Sequence, residues 1–565
     1  MRRSVFSVLA LACLSAALPA ASDAPDTKAR VDAVFKDFDR SDSPGCALGV
    51  YREGKILYAR GYGMANLELG VANSPQTAFD LGSTSKQFTA MSIHLLVREG
   101  KLSLDDDIRK WLPELPDYGK AIKVRNLLHH TSGLRDYLEL MGLQGVKDED
   151  LTTEEDALAI LSRQKSLNFP PGTEHLYSNS GYFLLSVIVK RASGMSLRDF
   201  AAERIFGPLG MRHTQFNDSH TRIIPNRATG YRRAEGGGFG IDMSDFEQTG
   251  DGSVLTSVED LFHWDQNFYE PRVGDRQLLD AMLTPGVLEN GRKLEYASAL
   301  VVSSYRGLPT VSHGGAWVGY RAQLLRFPEQ KLSVACLCNL ADSNPSGLAR
   351  QVAEVYLESL MKKEAPPSAS KTAGSVRLAE PLEKLERLSG QYRNASSGET
   401  VRVGVKEGKL IAETGDTHYV LTAVSPNRYV VEGYHPPRSR EVTFEAVSGS
   451  ARPRMRIVTR QENGEEEREL FEPVETWTPT AAQLNDFAGT YTSEELETAW
   501  RLTAEDGKLL IRHRGLPAKP LTPTITDGFT LEGMNITFTR DASKKVTGFR
   551  LDEGRVRGIA FVRQS

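Results

Sequence analysis

Ser83 and Lys86 are the first candidates for chemistry in this sequence, because they stand three residues apart at the start of an apolar helical pattern. Residues three apart share one face of a helix, so the hydroxyl of Ser83 and the amine of Lys86 point into the same space. A serine hydroxyl needs a base before it attacks a carbonyl, and a lysine kept neutral by burial can take that proton. The pattern predicts a serine nucleophile with a lysine base.

The same Ser-x-x-Lys spacing also begins at Ser162, Ser359 and Ser368, so context must separate the candidate from chance matches. The first two lie at the ends of predicted helices. The third lies in a predicted linker, where nothing would bury the lysine. Ser83 instead follows an apolar strand-like segment and opens a helix, which favours it as the nucleophile.

Tyr177 and Asn179 are the second candidates, between a Pro-Pro-Gly turn and an apolar helix. A phenol near a lysine acts as a base or relays protons, and the amide of Asn179 can bind substrate and orient Lys86. A second Tyr-x-Asn begins at Tyr392, in the C-terminal part of the chain. Without Ser83, a tyrosine half-buried for packing alone would be the better interpretation of Tyr177.

His313, Gly314 and Gly315 follow a short predicted strand and precede Ala316. The glycines let a substrate lie against the strand edge, where backbone N–H groups are exposed. The N–H groups of Ala316 and Ser83 are candidates for an oxyanion hole. The imidazole is expected to bind substrate or to help keep Lys86 deprotonated, with an incidental histidine in a turn as the alternative.

The elements that must position these motifs alternate between strand and helix patterns. Strand patterns occupy residues 45–51, 55–61, 299–303, 310–312, 319–327 and 332–340. Helical spacing occupies residues 83–98, 124–130, 180–192, 197–205, 258–268 and 346–361. Strands at both ends with helices between them predict an α/β domain whose sheet joins sequence-distant strands.

The C-terminal part has an all-β pattern and contains a repeat. Gly390-Gln391-Tyr392 matches Gly489-Thr490-Tyr491, and three further short matches follow in the same order about 100 residues apart. We expect two small antiparallel modules, each a barrel or sandwich of about seven to nine strands. A stretch rich in Pro, Ser and Ala precedes them and predicts a linker.

Composition excludes several classes of function. The formal net charge is −4, so nothing indicates a nucleic-acid partner, and no stretch after the N-terminus is apolar for long enough to span a membrane. No metal or cofactor is predicted, because the adjacent His129 and His130 point to different helix faces and the Cys-x-Cys at Cys336 lacks a second pair. The expected partner is a small-molecule or peptide substrate, and the oligomeric state is left open.

The N-terminus has the order of charge, apolar core and small residues that is typical of a secretory signal. Residues 1–22 are therefore predicted to be a signal peptide, and the protein to be periplasmic or secreted, with a lipoprotein anchored through Cys13 as the weaker alternative. The mature chain keeps Cys46, Cys336 and Cys338. We expect them to be small buried thiols, with a disulfide to Cys46 as the weaker alternative.

The ordered set of three motifs resembles the serine β-lactamase and penicillin-binding-protein superfamily over residues 27–362. The resemblance is closest to its class C-like branch, which includes D-Ala carboxypeptidases, D-aminopeptidases and esterases. It implies a β-lactamase-like α/β sandwich, in which an antiparallel sheet is flanked by helices and the site faces a helical lobe.

The resemblance also implies roles for the residues that match its motifs. Ser83 would be acylated, Lys86 and Tyr177 would share the proton transfers, Asn179 would bind substrate, and Ser83 with Ala316 would supply the oxyanion hole. The function implied is that of a serine hydrolase that acts through a covalent acyl-enzyme on amide, peptide or ester bonds. The alternative is a non-catalytic penicillin-binding or cell-wall-sensing protein on the same scaffold.

One position departs from the family pattern, because β-lactamases usually have lysine where this chain has His313. A mostly neutral histidine holds a substrate carboxylate less firmly than a fixed cation does, which favours an aminopeptidase, amidase or esterase over antibiotic hydrolysis. The two β modules are similar to the C-terminal barrels of D-aminopeptidases. The predicted organisation is a signal peptide (1–22), a catalytic domain (27–362), a linker (363–380) and two β modules (381–475 and 476–565).

Overall fold

The computed structural model describes residues 25–362, 380–394, 398–414, 417–431, 439–450, 452–460, 466–513 and 517–564. The predicted signal peptide and almost all of the predicted linker lie outside these residues. Among the described residues, no helix combines the length and apolar character needed to cross a bilayer.

The first part of the chain folds into a six-stranded antiparallel sheet with helices on both faces. The strands of this domain, in chain order, are β1 (Cys46–Arg52), β2 (Lys55–Tyr62), β3 (Met64–Asn66), β4 (Val71–Ala72), β5 (Phe79–Asp80), β6 (Gln215–Phe216), β7 (Tyr231–Arg233), β8 (Phe239–Ile241), β9 (Val254–Thr256), β10 (Val301–Tyr305), β11 (Leu308–Trp317), β12 (Tyr320–Phe327) and β13 (Leu332–Cys338). Strands β3 to β9 are short and lie outside the main sheet. The order in the main sheet is β10-β11-β12-β13-β1-β2. The first hairpin therefore pairs with the last strand, as expected.

The helices of this domain are α1 (Pro25–Val34), α2 (Lys86–Arg98), α3 (Val124–Leu128), α4 (Tyr137–Gln144), α5 (Glu154–Ser162), α6 (Asn179–Ser193), α7 (Leu197–Ala201), α8 (Gly207–Leu209), α9 (Val258–Asn267), α10 (Arg276–Met282) and α11 (Pro345–Leu357). Helices α1 and α11 pack together, and α11 covers strands β12 and β13 on one face of the sheet. Helix α9 packs on the opposite face, and α2 and α6 form the centre of the helical lobe. This is the sandwich implied by the resemblance.

The expectation of a small buried thiol is wrong for Cys46 and Cys338, which form the disulfide given above as the weaker alternative. The two residues are directly opposite each other on the antiparallel strands β1 and β13. That register depends on a pairing across 292 residues of sequence, which no local pattern reveals. Among the described cysteines, Cys336 is free and buried, and its sulfur lies 3.8 Å from that of Cys338, on the same face of the strand.

Each C-terminal module is a closed antiparallel barrel preceded by a short helix. The first contains α12 (Leu382–Leu388), β14 (Gly390–Asn394), β15 (Thr400–Lys406), β16 (Lys409–Thr414), β17 (Thr417–Ser425), β18 (Arg428–Val431), β19 (Ser439–Glu445), β20 (Arg454–Arg460) and β21 (Glu466–Val474). The second contains α13 (Ala481–Phe487), β22 (Gly489–Ser493), β23 (Thr498–Glu505), β24 (Lys508–His513), β25 (Lys519–Pro523), β26 (Gly528–Leu531), β27 (Met534–Arg540), β28 (Val546–Glu553) and β29 (Val556–Arg563). Closure pairs the first strand with the last and leaves no open sheet edge.

Candidate active site

Ser83 lies where the chain turns from strand β5 into the helical lobe. A single 3₁₀ turn (Gly82–Ser85) precedes α2, so the predicted helix begins with a tighter turn than expected. The Gly82 N–H donates to the Asp80 carboxylate at 2.7 Å, and Gly82 has a φ of +49°. A Cβ at Gly82 would lie 2.7 Å from the backbone nitrogen of Ala316, so only glycine lets this turn approach β11 so closely.

Lys86 is completely buried beneath Ser83 and is held by three acceptors. Its Nζ lies 3.0 Å from Ser83 Oγ, 2.8 Å from Asn179 Oδ1 and 2.6 Å from the backbone oxygen of Asp251. Each proton of the ammonium therefore has a partner. When the amine is neutral, the short contact with Ser83 can reverse, so that the serine hydroxyl donates to the nitrogen.

Tyr177 and Asn179 are placed by the start of α6. Asn179 is the first residue of that helix, and the ring centre of Tyr177 lies 5.0 Å from Lys86 Nζ. The ring of His130 packs against Tyr177 with centroids 4.0 Å apart, consistent with a packing role for that histidine. Among the described residues, the buried Tyr177 hydroxyl has no hydrogen-bond partner that meets normal geometry. Such groups are rare in folded proteins, which suits a phenol kept available for a reacting molecule.

Strand β11 brings the third motif against the turn that carries Ser83. A Cβ at Gly315 would lie 1.8 Å from the Leu81 oxygen and 3.1 Å from the Ser83 nitrogen, so glycine is required for this contact. The strand extends to Trp317, beyond the predicted residues 310–312, because Gly314 and Gly315 stay paired with β12. The backbones of Ser83 and Ala316 therefore border the same space, as an oxyanion hole requires.

The imidazole of His313 is engaged within the protein. Its Nδ1 donates to the Gly314 carbonyl at 2.6 Å, since a carbonyl can only accept, and its Nε2 accepts from the Tyr296 hydroxyl at 2.9 Å. Burial, assisted by the nearby charge of Lys86, lowers the pKa of His313 to about 4, so the ring is neutral at physiological pH. The ring is therefore hydrogen-bonded to Gly314 and Tyr296 rather than to Lys86, and both of its nitrogens are engaged within the protein.

One cavity of about 620 Å³ joins all three motifs. Its lining includes Ser83, Tyr177, Asn179 and the strand segment from His313 to Ala316, while Lys86 lies behind Ser83. Residues separated by up to about 230 positions along the chain, from Ser83 to His313, thus lie around one hydroxyl. The predicted site residues are brought together, and their catalytic roles remain predictions.

The structure adds residues that the sequence did not indicate as functional. Asp251, Tyr296 and Arg555 contact the predicted set or line the cavity. Asp251 lies outside the three motifs, and its backbone oxygen accepts from Lys86. Arg555 belongs to the second barrel, and no local motif could have connected it with Ser83.

The carboxyl group of Asp251 is an acidic group at the wall of this cavity. It accepts a hydrogen bond from the Tyr137 hydroxyl at 3.1 Å. Burial raises the pKa of Asp251 to about 6, and the charge of Lys86 acts in the opposite direction. None of the three sequence motifs indicates a separate acidic group near the nucleophile.

Known proteins are similar to this chain over the catalytic domain and into the C-terminal barrels. The chain is 28% identical over 473 residues to a D-aminopeptidase from Cereibacter sphaeroides, a match that covers 84% of each chain. It is 26% identical over 562 residues to a D-aminopeptidase from Brucella melitensis, covering 96% of this chain and 99% of the relative. The second match therefore includes both barrels.

Solved structures give the same fold. The octameric penicillin-binding protein homologue from Pyrococcus abyssi superposes with a TM-score of 0.55 at 24% identity, covering 79% of this chain and 99% of that chain. Residues 31–357 match the family profile described as Beta-lactamase. Because that match includes more than half of the chain and all three motifs around Ser83, the protein belongs to the beta-lactamase family.

Proposed function

We propose that this protein is an exported hydrolase of the class C-like branch, which cleaves amide bonds of D-amino-acid derivatives through an acyl-Ser83 intermediate. The observation that carries the proposal is the contact of 3.0 Å between Lys86 Nζ and Ser83 Oγ at the base of the cavity. The D-aminopeptidase relatives, one of which matches over both barrels, support the substrate class.

The geometry supports a two-step acyl transfer. Ser83 Oγ attacks the substrate carbonyl while its proton passes to the neutral amine of Lys86, and the oxyanion is held by the N–H groups of Ser83 and Ala316. The C–N bond then breaks as the Tyr177 phenol gives its proton to the leaving amine, and Lys86 passes the proton taken from Ser83 to the phenolate. A water molecule then attacks the acyl-enzyme and gives a proton to Lys86 and Tyr177, which return it to Ser83 Oγ as the bond between Ser83 and the acyl group breaks and the acid leaves.

The neutral state of His313 supports amides over β-lactams. A penicillin presents a carboxylate that a fixed cation at this strand would hold. His313 offers no charge and no unoccupied ring nitrogen there. We therefore expect efficient turnover of uncharged D-amino-acid amides and poor turnover of nitrocefin.

Export is proposed from the signal-like N-terminus and is supported by the disulfide between Cys46 and Cys338. Disulfides persist in oxidising compartments such as the bacterial periplasm and are rare in the cytosol. Membrane fractionation of producing cells, with immunodetection of the processed N-terminus, tests this part of the proposal. Retention of residues 1–22 in a cytosolic fraction would contradict it.

The function is tested with the mature chain on paired D- and L-amino-acid p-nitroanilides, p-nitrophenyl esters and nitrocefin. We expect D-anilides to be hydrolysed and the activity to disappear in Ser83→Ala, which keeps the fold. Ser162→Ala is a matched control, because Ser162 begins one of the other Ser-x-x-Lys matches in the sequence. Its hydroxyl donates to the Ala159 carbonyl on the outside of α5. Covalent labelling of Ser83 without turnover of any acyl donor would instead indicate a penicillin-binding sensor.

A further inference from the structure

The hairpin turn between β28 and β29, residues 553–556, reaches the cavity of Ser83 from the second barrel. The Arg555 N–H donates to Glu139 Oε2 at 2.6 Å, and the Arg555 carbonyl accepts from Asn168 Nδ2 at 2.8 Å. Gly554 has a φ of +47°, and a Cβ there would lie 3.0 Å from both carboxylate oxygens of Glu139. The backbone of the turn is thus fitted closely to the catalytic domain.

The side chain of Arg555 forms part of the cavity wall. Its Nη1 lies 3.0 Å from Asp136 Oδ2 and its Nε 3.1 Å from Glu139 Oε1. The guanidinium carbon lies 5.6 Å from the ring centre of Tyr177. The Asp136 carboxylate and the Glu139 carboxyl group already face this cation, so a role through its protein neighbours fits better than capture of a charged substrate group.

Asp136 connects Arg555 with the catalytic lysine. The same oxygen, Oδ2, accepts the N–H of Asn179 at 2.7 Å, while Oδ1 caps α4 through the N–H of Leu138. The side-chain oxygen of Asn179 in turn accepts from Lys86 at 2.8 Å. A continuous series of contacts therefore runs from the second barrel through Asp136 and Asn179 to Lys86.

The carboxylate of Asp136 needs a cation because only 1% of its side chain is exposed. A buried charge that loses its partner is strongly destabilised, so its surroundings rearrange or it takes up a proton. Either response disturbs the first turn of α6, where Asn179 stands, and a small displacement at a catalytic centre has a large effect on rate.

We propose that Arg555 is a positioning residue of the active site, which neutralises Asp136 and thereby fixes Asn179 and Lys86. The proposal rests on the proposed function of Ser83 and Lys86. It assigns the second barrel a part in the reaction that the first barrel does not have.

The test compares side-chain variants of two arginines in this part of the second barrel. Arg555→Gln is expected to lower kcat about 10- to 100-fold, with KM changed less than about threefold, because it removes the charge and nearly keeps the size. Arg555→Lys keeps a cation and should recover most of the rate. Arg557→Gln is the matched control and should behave like the wild type, because that side chain pairs with Glu174 on the domain surface.

A double variant separates charge neutralisation from substrate binding. Asp136→Asn in the Arg555→Gln background removes the uncompensated charge and keeps an oxygen for the Asn179 N–H. We expect it to recover at least about tenfold of the lost kcat, in line with relief of an unpaired buried charge. A raised KM with unchanged kcat in Arg555→Gln, or no recovery in the double variant, would overturn the proposal.

A fluorophosphonate probe supplies a readout that needs no amide substrate. If the wild type is labelled at Ser83 but cleaves no D-amide, the proposed function fails, while slower labelling of Arg555→Gln still supports the positioning role. Equal labelling rates in wild type and variant overturn that role, and absence of labelling in the wild type overturns both proposals. Circular dichroism and thermal unfolding identify any variant that does not fold, in which case Arg555→Lys and the double variant decide.

Discussion

The two C-terminal barrels have the same architecture and can be compared strand by strand. In each, a tyrosine of the first strand donates its hydroxyl to a carbonyl of the preceding helix, from Tyr392 to Leu388 and from Tyr491 to Phe487. Their interiors differ, because the first barrel is filled mostly by aliphatic side chains and the second is rich in aromatic rings that pack against one another. The repeat has preserved the backbone arrangement and changed the packing.

The surroundings of the barrels differ more than their interiors. The core of the first barrel forms its own hydrophobic cluster, whereas the core of the second is continuous with that of the catalytic domain. A buried ion pair between Arg135 and Glu495, at 2.6 Å, joins the second barrel to that domain. The comparison teaches that a duplicated module acquires a function through one hairpin and its docking surface, while the barrel itself serves as a support.

The largest expected effect is the loss of stability when a large side chain is removed from the core of one barrel. It tests whether the two barrels unfold separately. Trp500→Ala in the second barrel and Phe444→Ala in the first each empty a fully buried site, and each should cost about 3–5 kcal/mol. Because only the second core is continuous with the catalytic domain, the Trp500 variant should lower the unfolding temperature of that domain and its activity. The Phe444 variant should lower a separate transition. Calorimetry that shows one transition, shifted equally in both variants, would contradict the comparison.

The next effect concerns ion pairs. Glu495→Ala leaves the guanidinium of Arg135 buried without its carboxylate and should cost about 3–5 kcal/mol of unfolding free energy. Glu441→Ala removes a partly exposed pair with Arg428 in the first barrel and should cost less than about 1 kcal/mol. Urea unfolding of both variants measures the difference. Similar losses would show that docking of the second barrel does not depend on this pair.

A third effect concerns glycines in hairpin turns. Gly554→Ala adds a Cβ close to Glu139 and should displace the hairpin, lowering kcat about tenfold. Gly408→Ala in the first barrel meets no neighbour, so only its positive φ matters, at a cost of about 1–2 kcal/mol and with unchanged activity. Kinetics and thermal unfolding of the pair test this. Equal activity of the two variants would argue against a role for the hairpin in the reaction.

The smallest effect is a pH dependence at the docking surface. Burial, together with the charge of Asp136, raises the pKa of Glu139 to about 7, and Arg555 opposes that rise. The folded protein therefore holds a proton that the unfolded chain releases near its lower pKa, and this contribution to stability declines as pH rises from about 4.5 to 7. The unfolding free energy of the wild type, relative to Glu139→Gln, should fall over that range. A difference that rises with pH would contradict this assignment.

Much of the site could be predicted from the sequence because each motif carries a local signal. The spacing of Ser83 and Lys86 on a helix, and the glycines after His313, report local geometry that the fold preserves. The hairpin, the helices that follow the nucleophile and the repeat in the C-terminal part were predicted for the same reason. The strand around Gly314 was predicted too short, because glycines usually indicate a turn, whereas here they permit close approach to the Ser83 turn.

What the sequence did not predict depends on contacts between distant segments. The pairing of Cys46 with Cys338 follows from strand order, and the contact of Arg555 with Asp136 follows from the docking of a separate barrel. The partner of His313, Tyr296, lies outside any recognisable motif. Local periodicity carries no information on such pairings, because they are decided by which surfaces pack together.

The link between Cys46 and Cys338 makes the intervening chain a covalent ring. Ser83, Tyr177 and His313 all lie inside this ring, whereas Arg555 lies outside it. A protease that cuts an exposed loop between the two cysteines would leave both fragments attached until a reductant is added. A cut in the segment that leads to the barrels would instead leave the arginine and its barrel held to the catalytic domain by non-covalent contacts alone, so the two kinds of nick would affect the catalytic centre in different ways.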